Sequence, residues 1–278
     1  MKLFNLTLVF TIFCLAVNAQ NFTDKINLKK DKAFEIKGNV NQIMNMGGME
    51  MTSKSSMTIS VKVSESNDAN IKLKTKIEKL KATGEFGGNS AEYDSEKKDS
   101  ENNPEMSAAL KEKVGVEKEL SVDRKTGIST DLTSPKPDVE SDPMDDIMKA
   151  ANGNENTTVN EMFFIIPKGT KVGDTWTTNV DKEGNKTQNK YTLKEVKGNS
   201  ASIDFNTVVT INQTIPVQGM DMAMNIKLNS NGNFVVNTET GVLIKKTSKT
   251  ISEGTTNFMG QDSPISMDST VETIYSEK

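Results

Sequence analysis

Apolar and polar residues alternate one by one through much of this chain, and a period of two over long runs admits only β-structure with one buried face. From Phe34 the even positions read Phe34, Ile36, Gly38, Val40, Gln42, Met44 and Met46, while Glu35, Lys37, Asn39, Asn41 and Asn45 lie between them. After Gly47-Gly48 the pattern resumes as Met49, Met51, Ser53, Ser55, Met57, Ile59, Val61 and Val63, so the two runs read as a hairpin with a glycine turn. Ile71, Leu73, Thr75 and Ile77 alternate with Lys72, Lys74, Lys76 and Glu78 in a third strand. The second half has the same plan. Ile203, Phe205, Thr207, Val209 and Ile211 form one face, and Met220, Met222, Met224, Ile226 and Leu228 form the next, continued by Phe234 and Val236. Later strands are expected at Gly241-Val242-Leu243-Ile244 and at Ile265, Met267, Ser269, Val271, Thr273 and Tyr275.

Strands of about 15 residues at about 3.3 Å each would run roughly 50 Å if flat. Strands of that length must twist and coil, so the expected fold is mainly β, a long antiparallel curved sheet wrapped into a half-barrel or open barrel. Two echoes suggest that it is built from two duplicated halves. Val40-Asn41-Gln42 through Gly48-Met49-Glu50-Met51 aligns without a gap to Ile211-Asn212-Gln213 through Gly219-Met220-Asp221-Met222. Leu120-Ser121-Val122-Asp123 leading to Thr126-Gly127-Ile128 resembles Phe234-Val235-Val236-Asn237 leading to Thr240-Gly241-Val242. Only one face is consistently apolar, so something must cover it. Short helices are expected to do so: one opened by Asn103-Pro104, one by Asp142-Pro143, and a third from Thr158 to Ile166 stopped by Pro167.

The N-terminus carries Lys2, an apolar block from Leu3 to Leu15 and then Val17-Asn18-Ala19, which is the pattern of a signal peptide over 1–19 cleaved before Gln20. The expected product is exported to the periplasm or beyond, with a single β-rich domain over 20–278 and no transmembrane segment. Cys14 leaves with the signal and the chain holds no His. Thiolate nucleophiles, imidazole bases, histidine-ligated zinc and disulfides are thereby removed, and no enzyme and no cofactor is expected. Arg124 is the sole arginine in a chain of net charge -4, a poor composition for nucleic-acid binding.

The methionines are the compositional oddity. Met44, Met46, Met49, Met51 and Met57 fall in one hairpin and Met220, Met222 and Met224 in the other, with Ile226 and Leu228 on the same parity. Flexible, polarizable thioethers in strict alternation read as the lining of an apolar pocket for a lipid or acyl chain. Two other readings stand beside it: a sealed core in a structural or interaction module of the cell envelope, and soft Cu(I) ligation. Asp138, Glu140, Asp142, Asp145 and Asp146 cluster without the spacing of a calcium loop and read as a solvated acidic stretch. Gly173-Asp174-Thr175-Trp176 reads as a turn entering a strand, with Trp176 an anchor at one end of the sheet.

Phe34-Glu35-Ile36 with the Met-bearing hairpin, Tyr93-Asp94-Ser95-Glu96-Lys97 and Val172-Gly173-Asp174-Thr175-Trp176 together resemble a family of exported Bacteroidota proteins of unknown function. That resemblance implies no activity and no functional residues. It does imply an architecture similar to the half-barrels of periplasmic lipoprotein and lipid carriers.

Overall fold

The computed structural model describes residues 22–133, 155–182, 185–217, 220–258 and 261–278. Its strands are β1 (Ala33–Met46), β2 (Met49–Ser66), β3 (Asn70–Phe86), β4 (Asn89–Asp94), β5 (Glu117–Asp123) and β6 (Ser129–Asp131), then β7 (Thr175–Lys182), β8 (Asn185–Lys197), β9 (Ser200–Val217), β10 (Met220–Asn237), β11 (Leu243–Phe258) and β12 (Gln261–Glu277). All belong to one 12-stranded sheet in the order β6-β5-β3-β2-β1-β12-β11-β10-β9-β8-β7, with β4 paired to β3 off that path. Neighbours are antiparallel, and the two edges, β6 and β7, do not meet. The expected long, curved, unclosed antiparallel sheet is therefore the fold observed.

Register follows the hydrophobic parity, because a slip of one residue would turn a whole face to solvent. Phe34 pairs with Val61 and Met44 with Met51 across β1 and β2, while Ile36 pairs with Tyr275 and Met44 with Met267 across β1 and β12. The apolar side chains so aligned form the core at one end of the concave face. Ile36, Ile59, Val63, Ile71, Leu73, Leu120, Val122, Leu193 and Ile203 are wholly buried there.

Two short α-helices are described. In α1 (Pro104–Leu110) the Asn103 side chain accepts hydrogen bonds from the Glu105 and Met106 amides and proline occupies the first turn, as the sequence predicts. The second, α2, spans Glu155–Asn160. The helix expected over 158–166 ends early: the chain turns at Glu161 and Met162 and leaves the helix, with Phe163 bridging Val242 and the Phe164 amide donating to the Gly241 carbonyl. β-branched Ile165-Ile166 before Pro167 disfavours helix, since proline clashes with a helical preceding residue. This segment plugs the sheet with Val159, Met162, Phe163 and Ile166. The helix expected at Asp142-Pro143, the acidic cluster and the signal segment lie outside the described residues.

The duplication is real at the level of supersecondary structure, but its correspondence differs from the hairpin alignment. The Gly127 amide donates to the Asp123 carbonyl at 2.9 Å, and the Gly241 amide to the Asn237 carbonyl at 2.9 Å. Both glycines have φ 74°, open only to residues without a Cβ penalty. In the same two turns Asp123 Oδ1 accepts from the Thr126 amide and Asn237 Oδ1 from the Thr240 amide. The Arg124 amide meets the Ala69 carbonyl just before β3, and the Thr238 amide meets the Asn199 carbonyl just before β9. Bulges fall between Val63 and Glu65 against β3, and between Leu193 and Glu195 against β9. The unit β2-β3-β5-β6 thus corresponds to β8-β9-β10-β11, whereas the hairpin alignment equates β1 with β9. That alignment reflects shared parity and a glycine turn, which any two such strands possess.

The segment 22–28 ties the two turns together. The Thr23 amide donates to the Thr238 carbonyl, the Ile26 amide to the Arg124 carbonyl and the Asn27 amide to the Thr240 carbonyl. Arg124, buried at 7% exposure, donates to the Ile26 carbonyl at 2.6 Å, the Leu28 carbonyl at 3.0 Å and the Ser66 hydroxyl.

Candidate functional site

Beyond the plug, the concave face holds a cavity of about 370 Å³, partly open to solvent. Cross-strand register arranges its walls in tiers. Gly38, Thr273 and Lys246 lie side by side on β1, β12 and β11, and Val40, Val271 and Ser248 form the next tier. The third contains Gln42, Ser269, Thr250, Ser230 and Thr207, from β1 through β9. The fourth contains Met44, Met267, Ser252, Leu228 and Val209, and the next Met46, Ile265, Gly254, Ile226 and Ile211. A band of hydroxyl and amide groups therefore lies between the packed aromatic end and an outer band of thioethers and branched chains.

Aromatic rings pack behind one wall, and Phe205, 5.9 Å from Phe234, carries that cluster to the cavity lining. Phe164 contacts Phe234 at 4.6 Å and Tyr191 at 5.0 Å between centroids, and Trp176 lies 5.6 Å from Tyr191. Trp176 thus anchors the edge strand β7 to the plug. Burial raises the Tyr191 phenol above its usual value, opposed by its hydrogen bond to Thr178. Lys246 projects over the Phe205 ring at 5.3 Å and pairs with Glu161 at 2.8 Å, its side chain only 16% exposed. Both members of this ion pair line the cavity. Gln42 is 6% exposed, sits between the lining residues Val40 and Met44 on the same face, and has a buried Oε1 with no hydrogen-bond partner.

Of the residues singled out from sequence, Met44, Met57, Ile226 and Leu228 line the cavity. Met224 is buried at 3%, one tier beyond the lining residues. Met46 and Met51 are half-buried on the same parity but lie outside the lining, and Met49 is 53% exposed in a shallow polar recess with Glu50 and Glu85. The reason is position: Met49 opens β2 directly after the Gly47-Gly48 turn, at the end of the hairpin far from the plug. Met220 and Met222 belong to β10, and their side chains lie outside the described residues. The register sets Met44 beside both Met51 and Met267, a row of thioethers across three strands. Among the described residues there is no group of three His, Cys, Asp or Glu side chains suited to a metal ion.

Sequence reasoning missed Lys246, Glu161 and the hydroxyl band. β11 alternates Lys246, Ser248, Thr250 and Ser252 with Lys245, Thr247, Lys249 and Ile251, so both faces are polar and parity cannot assign the inner one. Lys246 gave a faint signal, because its parity continues into Ser248 and Thr250 rather than toward further charges.

Residues 68–243, well over half of the chain, match the model of a family of unknown function. The chain belongs to that family, DUF6263. The matched span runs from the loop before β3 to the start of β11 and so contains the second repeat as far as its closing turn. No curated protein matches the chain. Among solved structures, the chain is similar to a lipovitellin described in terms of its lipid–protein interactions, with a TM-score of 0.53 at 12% identity over 90% of this chain. It spans 25% of that lipovitellin chain, and the likeness is one of fold. The translocator domain of the autotransporter NalP from Neisseria meningitidis matches at 7% identity over 90% of this chain and 89% of its own, with a TM-score of 0.26. An outer-membrane channel from Pseudomonas putida F1 matches at 7% identity over 91% and 98%, also with a TM-score of 0.26. Neither of these two is close enough to bear on this chain. Among the described residues no helix is long and apolar enough to cross a membrane.

Proposed function

We propose that this protein is an exported, non-enzymatic carrier of the cell envelope that holds a lipid or acyl chain in the concave face of its sheet. The observation that carries the reading is the cavity of about 370 Å³ with Met44, Met57, Val209, Ile211, Ile226 and Leu228 in its walls. Its volume falls in the range of small-molecule sites, roughly 300–1,000 Å³. A domain closed for stability alone has no use for a void of this size, since unfilled apolar volume weakens packing. The lipovitellin fold, known in a protein that interacts with lipid, lends the reading support from architecture. The signal-like N-terminus supports export to the periplasm or beyond, and the lack of His and of any Cys but Cys14 supports a binding rather than a catalytic role.

Native purification followed by solvent extraction and mass spectrometry tests this. Lipid should be released in stoichiometric amount, and Leu228→Trp, which fills the cavity from its wall, should lower the yield severalfold without unfolding the protein. A folded wild-type protein that releases none, and that takes up no fluorescent acyl probe, would leave the sealed structural module as the better account. The same preparation tests export: the mature chain should begin at Gln20 by intact mass.

A further inference from the structure

Resting on the carrier reading, we infer that the ligand is a fatty-acid-like amphiphile whose carboxylate takes the place of Glu161 on Lys246, with its tail running away from the plug toward Met44, Leu228 and Met267. Among the described residues, Glu161 and Lys246 are the only charged side chains that line the cavity. A charge carried in by a ligand therefore has one place to settle. Lys246 is fixed at that place: its side chain is 16% exposed, and its ammonium lies 5.3 Å from the centre of the Phe205 ring in the cavity wall. Glu161, by contrast, is 40% exposed and belongs to the turn that follows α2. The two members of the ion pair are unequally committed to it.

That asymmetry favours an exchange of carboxylates. When an ionised head displaces Glu161, the ammonium keeps a carboxylate partner, and the released Glu161 regains water that it already partly meets, which offsets the water lost by the head. An alcohol head brings Lys246 no charge and leaves Glu161 in place. The register supplies the room. Lys246 shares its tier with Thr273 and Gly38, and Gly38 lines the cavity with nothing within 4 Å of where a Cβ would stand. From Lys246 to Ser252 the inner face of β11 runs about 20 Å, a span along which an extended acyl chain lies against the wall. Hydroxyls on the way already have partners: Thr250 donates to Ser230 at 3.0 Å and Thr207 to the Asn189 side chain at 2.7 Å, so a hydrocarbon tail passes them without stranding a donor.

Oleate and oleyl alcohol, which share a tail and differ in the head, test this by displacement of an uncharged fluorescent acyl probe from delipidated mature protein. Oleate should bind about tenfold tighter, the margin by which a charge-assisted hydrogen bond exceeds a neutral one. Lys246→Met, which keeps an unbranched side chain over Phe205, should bring the two ligands level. Glu161→Gln, which removes the competing charge, should widen the preference for oleate severalfold. A pair that only fastens the plug to the sheet would lower the melting temperature of both variants without moving the ratio of affinities. If the alcohol binds the wild type as tightly as oleate, or Lys246→Met keeps the preference, this inference falls while the carrier reading stands. Should Lys246→Met fail to fold, Glu161→Gln decides alone, and an unchanged ratio overturns the inference. If neither oleate nor the alcohol binds the wild type, both readings fall.

Discussion

At the scale of single residues, Arg124 decides more than its rarity suggested. A lone arginine in an acidic chain looked unavailable for anion binding, and its guanidinium is spent on backbone instead. It clamps the carbonyls of Ile26 and Leu28 and the Ser66 hydroxyl. Arg124→Met keeps most of the buried volume but leaves the Ile26 carbonyl without the guanidinium and the Leu28 carbonyl with the Ser66 hydroxyl as its side-chain donor, and should cost about 3 kcal/mol, read as a lower urea midpoint. Arg124→Lys should recover only part of this, because an ammonium cannot fork to carbonyls on either side. The clamp could not be read from sequence, since Ile26 and Arg124 are brought together only by the plug end of the sheet.

Among the elements, β10 and β11 approach each other closely at two positions, and glycine permits it. A Cβ on Gly232 would run into the Thr247 carbonyl of β11, and one on Gly254 into the Asn225 carbonyl of β10, each well inside van der Waals contact. Gly232→Ala should therefore destabilise by about 2 kcal/mol or more, because backbone cannot yield as a side chain can. Gly38 on β1 is the contrast: a Cβ there meets nothing within 4 Å. Gly38→Ala should be neutral or slightly stabilising, up to about 1 kcal/mol, through the lost freedom of the unfolded chain. Thermal melts of the two variants side by side check the difference.

For the whole molecule, the outer face is a lattice of exposed lysine–carboxylate pairs, and its effect is on acid stability. Hydrogen bonds from Lys278 and Lys37 hold Glu35 below its usual value, those from Lys97 and Lys81 do so for Glu92, and those from Ser60 and Lys76 for Glu78. The Glu96 amide lowers Asp94, and the Thr126 amide and hydroxyl lower Asp123. A carboxylate depressed in the folded state contributes stability that is complete above its unfolded value, about 4, and is lost as pH falls through the lower folded value. Urea midpoints should therefore hold nearly constant from pH 7 to about 5 and decline below about 4, with Glu92→Gln flattening part of that decline. Because these pairs are exposed, high salt should mute the effect.

Period-two alternation by itself determined β1, β2, β3, β9, β10 and β12, their apolar face and the curvature that strands of 14 to 18 residues demand, and the Asn103-Pro104 cap determined α1. Those properties are local: each depends on a residue and its near neighbours along the chain. Tertiary structure decided which strands adjoin, so that β1 and β12 pair in the middle of the sheet and the repeat equates β2-β3-β5-β6 with β8-β9-β10-β11. It also decided the character of the cavity. Met49 falls outside while Lys246, Glu161 and the hydroxyls of β11 and β12 fall inside, because depth along a curled strand is set by what covers each tier, and parity reports the face but not the cover.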